Sequence, residues 1–440
     1  MIGTRSFAAA LMSAVFLAGG TATLALAPTA AYAQAKKEVS PEVGKPLQEA
    51  DGLVKQKKFK EALEKVDAAD KAKKTPWEAY TVEMRRYSVY GQSGDAPKAI
   101  KALEAAMDTG QMSEGEKEKM TVQLAQMNFS AKNYAKALEL ANKAVKEGNN
   151  SDLVQNLIVQ SYYYQNDCPN ATKTARTIIG NAEKANRKPD ENLIQLWMAC
   201  DSKTPATAQG YYEGIEKAVQ YYPKKDYWLA LIALVQKKPG FSSDRLALDV
   251  ARLKLALGVL DKSSDYMEMA QLSLQTGNAG EGTEIIDKGY KFGVLGQGNE
   301  AERHKRLRDL AAKQLGDDKP QLAQTEAAAA RKPDGVDLFK VGEAYAGYGQ
   351  FDKGIQLMQT ALTKGGFKNP EEQRLHLGYW QIKSGKKPAA IETLKQVKGT
   401  AGEADIARMW TMFAASGPVA QPTAAAAPAA AAAAPAKKKS

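Results

Sequence analysis

The sequence is poor in the residues that most chemistry needs. Its 440 residues hold only two histidines, His304 and His376. They stand far apart without cysteines or paired carboxylates beside them, so a zinc site, which needs three or four converging ligands, has no support. His304 in ERHKRLRD reads as part of a solvated charged face, and His376 in RLHLGYW as lining a helix surface. The single Gly-rich run, GVLGQGN, lacks both the Lys-Ser/Thr that should follow a phosphate loop and the strand that should precede it. No GxSxG elbow and no HExxH occurs, and the many carboxylates show no privileged spacing. These gaps exclude the familiar catalytic constellations: no enzyme, no cofactor and no metal are expected.

Long apolar runs are missing after the first 33 residues. Before that point Arg5, an apolar run from Phe7 to Leu26 and the small-residue end Ala31-Tyr32-Ala33 form a secretory leader, with cleavage expected after Ala33 and a short segment, 34–42, leading into the first helix. An uncleaved anchor is the competing reading, weakened by Gly19, Gly20 and the Ala-Tyr-Ala site. Without the leader no membrane span is expected, and the periplasm is the expected compartment. The formal charge is +11, and loss of Arg5 leaves +10. In an exported chain this excess points away from nucleic acid and toward an anionic envelope surface, or simply toward lysines that solvate helix faces. The far end, 417–440, alternates Ala with Pro and closes on Lys437, Lys438 and Lys439. Proline interrupts every alanine run there, so an extended, disordered tail is expected, serving as a spacer or touching an anionic polymer.

What the chain does have is a repeat. In LAQMNFSAKNYAKALELANKAV, Leu124, Ala125, Tyr134, Ala137, Ala141 and Ala144 are followed at a constant step of 34 by Ile158, Val159, Cys168, Ala171, Ala175 and Ile178. That period is the signature of stacked helix-turn-helix units. Earlier copies carry Ala50, Phe59, Ala62 and Ala69, then Tyr87, Tyr90, Gly94, Ala99, Leu103 and Ala106. Ser113 with Glu116 forms a capping box that opens the third copy. Late in the chain, VGEAYAGYGQFDKGIQLMQTALTKG places Gly342, Tyr345, Gly349, Phe351, Gly354, Met358 and Ala361 at the same steps. The pattern resembles the tetratricopeptide repeat, in which small residues mark helix crossings and Leu and Tyr fill the gaps between hairpins. The resemblance implies an all-α superhelical solenoid of about ten antiparallel helix-turn-helix hairpins. Four copies span 43–187, irregular hairpins 188–262, and further copies with a capping helix at Ala404–Ala415 fill 263–416. Within these, Asp226–Lys237 and Ser242–Leu257 read as one pair, and Glu300–Leu315 with Pro320–Arg331 as another.

Cys168, at the turn of the fourth hairpin, and Cys200, at the end of the next first helix, fall on one edge of adjacent layers, so a disulfide is expected, with two separate thiols as the alternative. In such repeats the first helices line a concave groove. On the register of the organising pair, the groove positions hold Gln126 and Phe129 in the third copy and Asn156, Gln160, Tyr163 and Tyr164 in the fourth, with Phe339, Glu343, Leu375 and Tyr379 near the end. Amides and rings together suit an extended peptide, although the tyrosines also fit plain packing. The expectation is a non-catalytic exported scaffold that binds a protein or peptide segment in cell-envelope assembly or maintenance. The alternative is a cell-wall or carbohydrate-binding accessory protein that uses its basic surface and lysine tail.

Overall fold

The computed structural model describes residues 37–419. The expected leader with its expected cleavage site, and the lysine-ended tail, lie outside the described residues. Twenty α-helices and two single 3-10 turns make up the regular structure there, with no strand among the described residues. None of these helices is long and apolar enough to cross a membrane. The chain divides into two compact units, one ending at Gln111 and one beginning at Met112.

The first unit contains α1 (Pro41–Lys55), α2 (Phe59–Asp70), α3 (Pro76–Ser93) and α4 (Ala96–Asp108). Helices α1 and α2 form one hairpin and α3 and α4 another. Ala62, Ala69, Ala99 and Ala106 are fully buried at the crossings, where a larger side chain would hold the backbones apart. Thr75 caps α3 in a reciprocal box with Glu78. The Glu78 carboxylate also accepts from Ser40 N at 2.8 Å, which ties the start of α3 to the start of α1. Hydrogen bonds from Ser40, and then from Thr75, bring its pKa down to about 2.

The second unit continues with α5 (Glu114–Ser130), α6 (Tyr134–Lys146), α7 (Asp152–Tyr164), α8 (Cys168–Lys184), α9 (Glu191–Asp201), α10 (Ala208–Tyr221), α11 (Lys225–Gln236) and α12 (Ala247–Leu257). It ends with α13 (Ser263–Gln275), α14 (Ala279–Lys291), α15 (Ala301–Ala330), α16 (Val336–Gly347), α17 (Phe351–Lys364), α18 (Pro370–Lys383), α19 (Lys387–Lys395) and α20 (Glu403–Ser416). Pairs α5/α6, α7/α8, α9/α10, α13/α14, α16/α17 and α18/α19 pack as hairpins. The expected capping box at Ser113 and Glu116 opens α5. A Cβ on Gly354 would stand 2.5 Å from the carbonyl oxygen of Gly342, so α16 and α17 meet backbone to backbone.

Three expectations fail here. The pair Glu300–Leu315 and Pro320–Arg331 is one continuous helix, α15, with Pro320 inside it. The carbonyl that the proline ring would crowd belongs to Gly316, on a largely exposed stretch. The helix expected over Ser242–Leu257 begins only at Ala247, because Ser242 N is held by the carbonyl of Ala401 at 2.9 Å and Arg245 by Glu372 and Glu403. Nor does α12 pair with α11: α11 lies on α10, and α12 on α13 and α20.

These ties belong to a larger departure from an open stack. Helix α20 covers α18 and α19, as a cap should, but it also packs on α10 and α12. Arg408 Nε reaches Glu216 at 2.8 Å, and Lys238 Nζ reaches Asp405 at 2.9 Å. Val419 N donates to Leu257 O at 3.2 Å. One apolar core therefore runs from Tyr212 to Ala414, with Trp228, Trp380 and Trp410 essentially buried in it.

The turns between paired helices repeat one backbone device, a residue with positive φ. It is Lys57, Gly94, Lys132, Asn166, Gly277, Gly349 and Gly385 in seven hairpins, while the α9/α10 turn does without it. Lys132 (φ 64°) holds a left-handed conformation that costs an L-residue about 1 kcal/mol, whereas Gly349 (φ 81°) holds it freely with open space around it. Lys132→Gly is expected to raise unfolding free energy by a few tenths to about 1 kcal/mol, and Gly349→Ala to lower it by about 1 kcal/mol. Denaturant titration followed by circular dichroism checks both signs.

Candidate functional site

Helix α5 ends, α6 begins and α7 ends on one edge of the second unit, and each brings an aromatic side chain to it. Phe129 lies in the last turn of α5, Tyr134 opens α6, and Tyr163 and Tyr164 close α7. Tyr134 and Tyr164 stack, with centroids 5.0 Å apart and planes 14° from parallel. Phe129 meets Tyr134 at 5.3 Å and Tyr164 at 5.6 Å, and Tyr163 stands edge-on to Tyr164 at 5.4 Å. Lys203 Nζ sits 4.8 Å over the Tyr163 ring. Tyr164 remains 52% exposed, uncommon for a ring already stacked on others. Gln126 and Gln160, half-buried, precede Phe129 and Tyr163 by three residues on their helices, so the amides and rings share a helix side. Tyr134 is the member the sequence register did not assign to a site. Its signal was its place 30 residues before Tyr164, just past the turn of the same repeat.

Asn156 does something else. Its Nδ2 donates to Asp152 O at 2.9 Å and to Asp190 Oδ2 at 2.6 Å, so it ties α7 to the N-cap of α9. Beside the aromatic edge, Cys168 and Cys200 are joined as a disulfide with Cα atoms 5.2 Å apart. The bridge pins α8 to α9 where Tyr163, Trp197 and Arg176 pack. Closing a segment of 32 residues stabilises by about 3 to 4 kcal/mol in the chain-entropy account. Reduction is therefore expected to lower the denaturant midpoint, and Cys168→Ala/Cys200→Ala to reproduce the loss without further sensitivity to reductant.

The late groove positions are not a groove. Phe339 is 2% exposed and packs on Phe367, Leu375 is fully buried, and Tyr379 is buried. The packing of α10–α12 against α18–α20 fills the space that an open solenoid would leave. Both histidines are corrected as well. His304 is buried, with Nδ1 accepting from Gly296 N at 3.0 Å. His376 lies between two carboxylates, Nδ1 2.9 Å from Glu343 and Nε2 3.1 Å from Asp249.

These groups form a buried ionic cluster that sequence spacing did not reveal. Arg252 of α12 donates from Nε and Nη2 to Glu281 of α14 at 3.0 and 2.6 Å, and Tyr379 of α18 donates to the same carboxylate at 2.7 Å. Burial alone would raise the Glu281 pKa, but the Arg252 charge and its hydrogen bonds outweigh it and hold the carboxyl down to about 2. Burial alone would likewise lower His376, yet the charges of Asp249 and Glu343 push it up to about 10. Among the described residues, no group of His, Cys, Asp and Glu is set to hold a metal. The resident cations of this cluster are Arg252 and His376.

The hairpins are similar to those of tetratricopeptide-repeat proteins. No protein-family model matches the sequence, and no curated protein matches it. Among solved structures, yeast Tom70 aligns at 12% identity over 84% of this chain and 95% of its own, with a TM-score of 0.24. A tetratricopeptide repeat protein from Parabacteroides merdae aligns at 10% identity over 76% of this chain and 99% of its own, with a TM-score of 0.28. The TPR2AB domain of yeast Sti1 aligns at 12% over 68% and 99%, with a TM-score of 0.23. At such scores these likenesses add no argument to the hairpins themselves.

The ionic cluster makes stability depend on pH from both sides. The His376 contribution is complete below the ordinary imidazole value of 6.5 and is lost as pH rises towards about 10. The Glu281 contribution is complete above the ordinary value of 4.5 and is lost as pH falls towards about 2. Thermal unfolding should therefore show His376→Gln costing more stability near pH 6 than above about pH 9.

Proposed function

We propose that this chain is an exported, non-catalytic scaffold of the cell envelope that holds an extended protein segment against the ring cluster of Phe129, Tyr134, Tyr163 and Tyr164. The observation that carries this reading is Tyr164, stacked on Tyr134 and still 52% exposed. Rigid aromatic rings offer contact area at little entropic cost, and the neighbouring amides of Gln126 and Gln160 suit the backbone of a peptide. The leader ending at Ala33 supports the periplasm as the place of action. The disulfide agrees with an oxidising compartment.

The test is crosslinking capture from envelope extract with the full chain, compared with Phe129→Ala/Tyr164→Ala. Loss of two ring anchors should reduce capture of the specific partner at least about tenfold, with the melting curve little changed. Undiminished capture would remove the ring cluster from the interface. Cosedimentation with purified cell wall that disappears at high salt would instead favour attachment through the basic surface.

A further inference from the structure

The packing of α20 against α12 leaves a space between them that apolar side chains do not fill. A cavity of about 240 Å³ opens there, bounded by α12, α13, α14, α18 and α20. Its walls are apolar and aromatic: Leu255, Met269, Ile285, Ile382, Trp410 and Phe413. Trp410 and Phe413 meet edge to face at 5.4 Å. The floor is polar: Arg252, through Nε and Nη2, and Tyr379, through its hydroxyl, donate to Glu281, while Arg252 Nη1 faces Asp249 at 3.6 Å without a hydrogen-bond partner.

The rim is different. Lys288 Nζ lies 2.7 Å from Glu284 Oε1, and Lys383 Nζ lies 2.6 Å from Glu284 Oε2. Two ammonium groups thus share the Glu284 carboxylate, and the charged side chains lining the cavity, Arg252, Lys288 and Lys383 against Glu281 and Glu284, sum to one positive charge. Lys383 is held close, with only 21% of its side chain exposed and Trp380 4.9 Å below it. In the wall, Trp410 Nε1 is a buried donor with no acceptor. Buried donors normally find acceptors, and a cavity with apolar walls and few polar groups is the usual form of a small-molecule site.

We propose that this cavity binds a small amphipathic monocarboxylate, its apolar chain against Trp410 and Phe413 and its carboxylate between Lys288 and Lys383. The volume lies under the roughly 300–1,000 Å³ of drug-sized sites, which limits the ligand to about eight carbons. The charge at the rim selects an acid over an alcohol or an amine of the same length.

Titration calorimetry of the full chain with octanoate tests this, with octanol and octylammonium as controls. Saturable 1:1 binding of octanoate is expected, at least about tenfold tighter than either control. Lys288→Gln and Lys383→Gln should each weaken octanoate several-fold, and Ala256→Phe, which fills the cavity from α12, should abolish binding with an unchanged circular dichroism spectrum. If Ala256→Phe fails to fold, Lys288→Gln, at a position 40% exposed, still decides. Absence of saturable octanoate binding, equal binding of octanol, or binding indifferent to both lysine substitutions overturns the proposal.

Discussion

The guanidinium of Arg252 is placed where charge is most costly, 2% exposed in the middle of the second unit, and it is held there by groups from three other helices. Glu281 of α14 takes two of its hydrogen bonds, Tyr379 and Trp380 of α18 cover it at 4.6 and 5.7 Å, and Glu343 of α16 stands at 4.0 Å. A buried charge stripped of its partner costs about 3–5 kcal/mol. Any other seating of α18 against α12 and α14 would leave at least one charge so stripped. The apolar side chains alone would tolerate several such seatings, since Leu, Ile and Trp faces repack at modest cost. The ionic cluster therefore acts as a register mark for the closure, and His376 extends the mark by joining Asp249 of α12 to Glu343 of α16.

That closure decides which surface remains for partners. In an open stack the inner helix faces stay wet; here Phe339, Leu375 and Tyr379 become core, and α20 covers the helices opposite. Exposed aromatic area is left on the edge formed by α5, α6 and α7, braced nearby by the disulfide between α8 and α9. Where packing around α20 is incomplete, it leaves the lysine-rimmed cavity. Surface site and cavity are thus separate products of one chain, the first of a local hairpin edge and the second of long-range closure.

Much of the hairpin grammar was legible because its causes are local. Ala62, Ala99, Ala137 and Ala171 mark crossings because only small side chains let two helix backbones approach. Ser113 and Glu116 mark a helix start through their own hydrogen bonds, and Cys168 and Cys200 followed from the step between layers. The failures have equally specific causes. Pro320 reads as a helix end, yet α15 runs through it on an exposed stretch where the crowded carbonyl, that of Gly316, has room. Ser242 to Leu246 read as helix, yet bonds to Ala401, Glu372 and Glu403, more than 120 residues away, hold part of that segment in another conformation.

The sequence by itself determined most of the units of this protein: short helices, the pairing of most of them across short turns, and the 34-residue step of the central hairpins. These follow from interactions between residues that are near in the chain, so the pattern of side chains encodes them directly. Only the tertiary structure decided that the late helices return onto α10 and α12, that His304 is buried and His376 is held between two carboxylates, and that Asp249, Arg252, Glu281, Glu343, His376 and Tyr379 meet. Those six residues are spread over 130 positions, each reads locally as an ordinary residue of a charged helix, and only desolvation in a shared core turns them into partners.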